Sequence, residues 1–335
     1  MARIKKDIAI IGAGPVGLFA IFEAGMLGLS TVVIDTLDFP GGQCSALYPE
    51  KPIYDIPGFP SITGQGLIDN LMEQAKPFKP EFILSSQVTE FTQYADHLLL
   101  RTNSGKEIEC KCLIIAAGCG AFGPNKPPLE RLEEFEEKSV QYYVRAKSNF
   151  RNKHVVIAGG GDSAVDWAVE LASIAKSVKI VHRRDKFRAA PGTVAQMKKL
   201  ADIGKIEIMV PYQLKALHGE NGVLEAIEIY DFEKNSKLLK ADYLLPFYGL
   251  SMKLGPIANW GLNIEQNHIH VMEDTCETNT ARVFAVGDVC HYPRKLKLIL
   301  TGFAEVAKAC YKSYEYIHPE KPLHFEYSTT KGVPK

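Results

Sequence analysis

Apolar positions along this chain gather in short runs, separated by polar stretches rich in glycine and proline. Runs at 8–11, 29–34, 112–117, 155–158 and 178–181 read as strands, and 282–288 reads as a strand that stops at Gly287-Asp288. Over 162–175 the rhythm changes, because Ala164, Val165, Ala168, Val169 and Leu171 recur at helical spacing. A further helix is expected around 302–316, and strand-like alternation returns at 206–210 and 226–230. Proline and glycine punctuate this series. The stretch 122–128, with Pro124, Pro127 and Pro128, excludes helix and central strand and reads as a linker, and a second break falls at 246–255.

The predicted architecture is α/β: two Rossmann-like, three-layer nucleotide-binding domains, the second inserted into the first. Residues 1–118 and 247–335 form one domain, with 318–335 as a C-terminal extension, and 119–246 form the other. Two linkers lying close together would act as a hinge.

Each domain carries a dinucleotide fingerprint. The first is Gly12-Ala13-Gly14-Pro15-Val16-Gly17 and the second is Gly159-Gly160-Gly161-Asp162-Ser163-Ala164. Glycine-rich turns are common, so a lone GxGxxG says little. Here both copies have a strand before, a helix-like stretch after and a second strand beyond. Glycine allows a tight turn and close backbone approach, and the helix start offers free N–H groups and a positive dipole end to a pyrophosphate. Two such units suggest that two dinucleotides exchange electrons.

The residues that follow tell the two sites apart. The first domain's second strand ends at Asp35, whose carboxylate accepts from a ribose hydroxyl pair and repels a phosphate, which suits FAD or NAD. The equivalent place in the second domain holds His182-Arg183-Arg184, with Arg188 one turn on and no acid. Guanidinium forks match a phosphate bidentately, so this site should prefer NADP. The competing reading is a solvated basic turn.

Two further segments fit a flavin. In Gly41-Gly42-Gln43-Cys44, paired glycines let the backbone pass close to a flat ring, Gln43 can hydrogen-bond its edge, and Tyr48 beyond can stack on it. A plain turn with a core tyrosine is the alternative. Gly287-Asp288 at a helix entry puts a carboxylate beside a ribityl hydroxyl; Asp288 as a helix N-cap is compatible with that role.

Composition removes other classes. Lys and Arg (39) balance Asp and Glu (39), so no global field draws the chain to nucleic acid or membrane. No run approaches the roughly 20 apolar residues of a membrane span, and 8–11 is too short for a signal segment. Seven scattered cysteines suggest reduced, inert thiols and a cytoplasmic protein. A disulfide-reducing flavoenzyme would carry a cysteine pair. Cys44 in a C-x4-C spacing meets Pro49, and no CxxC precedes the second fingerprint. No zinc, iron–sulfur, Walker or Gly-x-Ser-x-Gly pattern appears, and His291 reads as structural.

Taken together, segments 10–17, 41–60, 115–124, 159–167, 182–188, 283–288 and Tyr327-Ser328-Thr329-Thr330-Lys331-Gly332 resemble the thioredoxin-reductase-like ferredoxin–NADP+ reductases over nearly the whole chain. The resemblance implies FAD contacts from Gly12, Gly14, Pro15, Gly17, Asp35, Gly42, Gln43, Tyr48, Val88, Phe122, Asp288 and Thr329. From the second fingerprint and the basic turn after it, NADP(H) contacts are expected from Gly160, Gly161, Asp162, Ser163, Ala164, His182, Arg183, Arg184 and Arg188. Tyr48 would stack on one face of the isoalloxazine and Tyr327 would cover the other. The family is homodimeric, one subunit's extension covering the other's flavin, so Thr329 would act in trans. No metal and no catalytic dyad is implied.

The implied activity passes hydride from NADPH to FAD and single electrons on to ferredoxin, or the reverse, with flavodoxin as a further partner. An acidic ferredoxin needs a basic docking surface, for which Arg294, Lys295 and Lys297 are the candidates. The rival readings are a disulfide reductase, a flavin monooxygenase, an NADPH-dependent reductase of a quinone or iron chelate, and a non-enzymatic flavin redox sensor.

Overall fold

A computed structural model describes residues 3–118, 120–136, 138–323 and 328–333. The chain divides into two compact units, Met1–Phe122 with Met252–Lys335, and Gly123–Ser251. The crossing segments Ala121–Pro124 and Leu250–Lys253 pair as a two-stranded ribbon.

The first unit is built on a seven-stranded sheet. Its parallel part runs Glu81–Ile83, Thr31–Ile34, Ile4–Ile11, Glu107–Ile115 and Val283–Ala285. Antiparallel strands Leu98–Thr102 and Val88–Gln93 continue it from the first half of Glu107–Ile115. Successive residues of a strand point to opposite faces, and here both faces are buried. Ile8, Ile10, Val33, Ile114 and Phe284 join one core cluster, while Ala9, Val32, Ile34, Ile115 and Ala285 join another. This explains why 8–11 and 112–117 are apolar at every position rather than alternating.

Helices Pro15–Met26, Gly64–Ala75 and Ile299–Ile317 contribute to the first cluster. Pro15 sits at the first helical position behind an extended Gly14, where a missing N–H costs nothing. The helix Gly64–Ala75 is capped by Thr63, whose hydroxyl accepts from the Gly66 amide at 3.0 Å.

The second unit repeats the plan. Four parallel strands stand in the order Ile206–Met209, Ser177–Val181, His154–Ala158 and Tyr243–Pro246. In both units, antiparallel strands are inserted between the third and fourth parallel strands in chain order. In the second unit these are Gln213–Glu220, Val223–Tyr230 and Ser236–Lys240. Val156, Ala158 and Leu244 pack against Leu217, Ile227 and Ile229 of that insert.

Several elements differ from the sequence pattern. The helix beginning at Asp162 closes at Leu171 rather than at 175. Gly42–Leu47, for which no element was expected, is a short helix. The strand expected over 282–288 is only Val283–Ala285, and Gly287–Val289 forms a 3-10 turn. Asp288 is therefore not the cap of the following helix, which begins at Ile299 behind Leu298.

Candidate functional site

Parallel strands release their next residues at one edge, and in the first unit the register fixes which ones. Ile11 lies beside both Ile34 and Ile115, and Ile115 lies beside Ala285. The Gly12 loop, Asp35, Ala116-Ala117-Gly118 and Gly287-Asp288 therefore all emerge at the carboxyl edge, where open α/β sheets bind ligands.

The glycines of the first loop serve two purposes. A Cβ on Gly12 would lie 2.4 Å from the Ala116 carbonyl oxygen, and one on Gly17 would lie 1.9 Å from that of Gly12. These two are needed for the chain's own packing. Gly14 is different. Its φ of −70° suits any residue, and a Cβ there would meet nothing within 4 Å. The chain itself does not demand glycine at Gly14, so what the position leaves is room in front of an uncapped helix start. That is a cradle for an anion approaching backbone N–H groups.

Asp35 grips this loop directly. One carboxylate oxygen accepts from the Ala13 amide at 2.6 Å, and the other accepts from Leu37 at 2.9 Å. Burial pushes the Asp35 carboxyl above the usual carboxylate range, against the pull of those amides. Gly41 donates its amide to the Ala13 carbonyl at 2.8 Å. A Cβ on Gly42 would stand 3.0 Å from the Gly14 Cα, and one on Gly118 would stand 3.6 Å from the Gln43 amide nitrogen. Gly42, Gln43 and Gly118 thus gather beside the fingerprint. Tyr48 ends the short helix, half-buried, with the Cys44 thiol 3.5 Å from its hydroxyl.

Val16 brings in the Gly287-Asp288 turn. A Cβ on Gly287 (φ +76°) would touch the Val16 side chain at 3.4 Å. The Gly287 amide donates to the Glu305 carboxylate at 2.7 Å. Glu305 also accepts from Tyr292 Oη at 2.7 Å and pairs with Lys295 Nζ, and both charged side chains are almost fully buried (1% and 2% exposed). This corrects one expectation: Lys295 does not belong to a basic surface, because it turns inward to neutralise Glu305. Arg294 and Lys297 are exposed, with Lys297 Nζ 2.7 Å from His268 Nε2. Glu305 itself escaped the sequence reading. Its signal was an acid on the apolar face made by Gly302, Val306, Ala309, Cys310 and Ser313.

The second loop follows the same logic. A Cβ on Gly159 would lie 2.7 Å from the Phe247 carbonyl oxygen. Gly161 has an ordinary φ of −96° and, like Gly14, open space where a Cβ would stand, ahead of an uncapped helix start. The Asp162 carboxylate accepts from the Ala190 amide at 2.8 Å, and Arg188 donates its amide to the Gly160 carbonyl at 2.7 Å. The segment carrying Arg183, Arg184 and Arg188 is thereby folded over the glycine loop. Ser163 is exposed and Ala164 is buried against the loop.

His182 leaves the strand end beside Gly160 with its Nε2 buried and without a partner among the described residues. Burial, then the three nearby arginines, lower its pKa. Arg183, Arg184 and Arg188 are exposed and pair with no carboxylate among the described residues. Three uncommitted guanidinium groups beside an open helix start suit a second phosphate group.

The remaining predicted residues fall elsewhere. The Val88 side chain is core, packed with Ile34 and Ile83, so only its backbone can face a ligand. Thr329 is exposed in the short helix Ser328–Lys331. Tyr327, Cys119 and the side chain of Phe122 lie outside the described residues. The six described cysteines are all buried and unpaired. Burial pushes Cys44 up to about 11 and Cys112 and Cys276 up to about 12. Such thiols are poor nucleophiles. His291 is exposed, edge-on to His270, and no metal-binding cluster of His, Cys, Asp or Glu occurs among the described residues. No helix among the described residues is long and apolar enough to cross a membrane.

Fold and loops define a protein with two dinucleotide-binding modules. The family model described as pyridine nucleotide-disulphide oxidoreductase matches residues 6–309. The ferredoxin–NADP reductase of Ehrlichia chaffeensis is 53% identical over 336 residues, covering 100% of this chain and 99% of that protein. That of Acidiphilium cryptum is 54% identical over 332 residues, covering 99% and 98%. The chain belongs to the pyridine nucleotide-disulphide oxidoreductase family and, within it, to the ferredoxin–NADP reductases. Among solved structures, Lactococcus lactis thioredoxin reductase in its FR conformation is 26% identical, with a TM-score of 0.78 over 94% of this chain and 99% of that one. The thioredoxin reductase of T. acidophilum, 22% identical with a TM-score of 0.81 over 93% and 98%, shares the fold.

Proposed function

We propose that this protein is an FAD-dependent ferredoxin–NADP+ reductase, its first unit holding FAD and its second NADPH. The observation that carries the reading is the pair Gly14 and Gly161. Each is a glycine that neither backbone angle nor packing requires, placed before an uncapped helix start. The names of the full-length relatives supply the donor and acceptor.

In the first unit, the amides at the start of Pro15–Met26 bind the FAD pyrophosphate, and Asp35 accepts from a ribose hydroxyl. Gly42 and Gln43 line the flavin edge, Tyr48 stacks on the ring, and Asp288 meets the ribityl chain. In the second unit, the loop of Gly160 and Gly161 binds the NADPH pyrophosphate. Arg183, Arg184 and Arg188 hold the 2′-phosphate, whose doubly charged oxygens match their forks. FAD, when bound, supplies the conversion of a two-electron donor into a one-electron one; the protein supplies binding and orientation. No residue need transfer a proton for that exchange.

The acceptor is an acidic ferredoxin, with flavodoxin as a further partner, met by Arg294 and Lys297. The working form is a cytoplasmic homodimer in which Tyr327 and Thr329 of one subunit cover the other's flavin. The absence of a CxxC pair ahead of the second fingerprint argues against disulfide chemistry. Anaerobic mixing of the FAD-loaded protein with NADPH or NADH tests the nucleotide assignment. Fast flavin bleaching by NADPH and slow bleaching by NADH is expected; equal rates would refute the arginine site.

A further inference from the structure

A buried ion pair lies against the Gly287-Asp288 turn. Glu305 accepts from the Gly287 amide (2.7 Å), Tyr292 Oη (2.7 Å) and Lys295 Nζ. The single Cys290 S–H lies within reach of both the Gly287 carbonyl (3.3 Å) and the Glu305 carboxylate (3.5 Å). Buried ion pairs are poor stabilisers, because desolvation offsets most of their attraction, and apolar pairs of the same size often hold a fold as well or better. Packing of the helix Ile299–Ile317 therefore gives no reason for an acid and a lysine here. An acceptor here does something packing does not: it satisfies the inward-pointing amide of Gly287. That amide belongs to a turn whose φ of +76° sets the direction of Asp288, and whose other side rests on Val16 of the first fingerprint.

We propose that Glu305, neutralised by Lys295, is a positioning residue that fixes the Gly287-Asp288 turn for the flavin, and that Lys295 thereby ties the exposed segment bearing Arg294 and Lys297 to that turn. The proposal rests on the reading that Asp288 meets the flavin ribityl chain. Its content is that Glu305 acts on the cofactor through Asp288 and not by general support of the fold.

The test measures the FAD dissociation constant of the apoprotein by flavin fluorescence, beside the thermal midpoint of the apoprotein. In E305L/K295M the pair becomes apolar while the Gly287 amide and the Tyr292 hydroxyl lose their acceptor; Tyr292→Phe alone, which leaves Gly287 bonded, gives the share of any change that the hydroxyl accounts for. FAD binding is expected to weaken by about tenfold or more relative to Tyr292→Phe, with the apoprotein still folded. In E305Q/K295M the amide oxygen still accepts from Gly287, and binding is expected to stay within about threefold. In an Asp288→Ala background, E305L/K295M should weaken binding by no more than about twofold further, since residues acting through one another are non-additive.

Full multiplication of the two losses would make Glu305 a general scaffold residue and overturn the proposal, as would unchanged FAD binding in E305L/K295M. If E305L/K295M gives no folded apoprotein, E305Q/K295M decides: a loss of about tenfold or more there contradicts the role of the Gly287 hydrogen bond. Unchanged binding in Asp288→Ala alone would instead remove the flavin reading of the turn, and the proposal with it.

Discussion

The imidazole of His182 occupies the space that any side chain on Gly160 would need: a Cβ there would come within 2.3 Å of the ring. The second fingerprint's middle glycine is thus required by a histidine from the next strand end, before any ligand is considered. Burial and three arginines hold that histidine's pKa below its ordinary value of 6.5. An unfolded chain takes up the proton near 6.5, while the folded chain resists it. Stability is therefore intact above pH 6.5 and is lost as pH falls from 6.5 toward the lowered value. His154, also lowered by burial, adds to the trend with the same sign. Thermal denaturation of the apoprotein should show a midpoint that falls between pH 7.5 and 5.5. In His182→Asn the slope should be smaller; an unchanged slope would show that His182 does not carry it.

Gly14→Ala and Gly161→Ala discriminate a ligand cradle from a packing glycine. Neither added methyl meets the protein, so the apoprotein should lose at most about 1 kcal/mol, the ordinary difference between helix N-caps. Gly14→Ala should weaken FAD binding by about tenfold or more with NADPH binding unaffected, and Gly161→Ala should do the reverse. Gly17→Ala serves as the contrast, since its methyl would run into the Gly12 carbonyl and should destabilise the apoprotein itself. Calorimetric titration of each apoprotein checks all three.

Removing the guanidinium groups of Arg183 and Arg184 should act on one nucleotide only. Each charge-assisted bond to a phosphate contributes about 1.5–3 kcal/mol, so each alanine should raise the NADPH KM roughly 10- to 100-fold. The NADH KM should change by less than about twofold, because NADH has no 2′-phosphate to lose. Steady-state kinetics with both donors would show the assignment to be wrong if the two KM values rose together.

The three basic residues after Asp288 should separate into two groups. Lys295→Glu would place a second acid against buried Glu305 and should cost the fold about 3–5 kcal/mol or more, seen in denaturant unfolding. R294E/K297E alters exposed charges only. It should lower kcat/KM for ferredoxin by about three- to tenfold, more at low salt, and leave ferricyanide reduction by NADPH intact. Equal losses with both acceptors would remove the docking role.

Much of the nucleotide-binding design was legible in the chain, because it rests on local chemistry. Glycines after short apolar runs, Asp35 at one strand end and His182-Arg183-Arg184 at the other need no knowledge of distant contacts. The structure adds the reason each glycine is there, which sequence cannot separate: Gly12 and Gly17 face backbone, and Gly14 faces open space. The helix Gly42–Leu47 was hidden by two leading glycines and by a length too short to show a period. Lys295 was misread because it lies between Arg294 and Lys297 in a segment that is otherwise exposed. Its partner stands ten residues on, and only the packing of Ile299–Ile317 brings Glu305 behind the turn.

NADPH on the second unit is expected to deliver electrons through flavin to a one-electron acceptor. The most direct measurement is steady-state oxidation of NADPH by the FAD-loaded protein with an acidic [2Fe–2S] ferredoxin coupled to cytochrome c, run in parallel with NADH. Fast, ferredoxin-dependent cytochrome reduction that prefers NADPH is the predicted result. Flavin bleaching by NADPH with no ferredoxin-dependent turnover would contradict the reductase assignment.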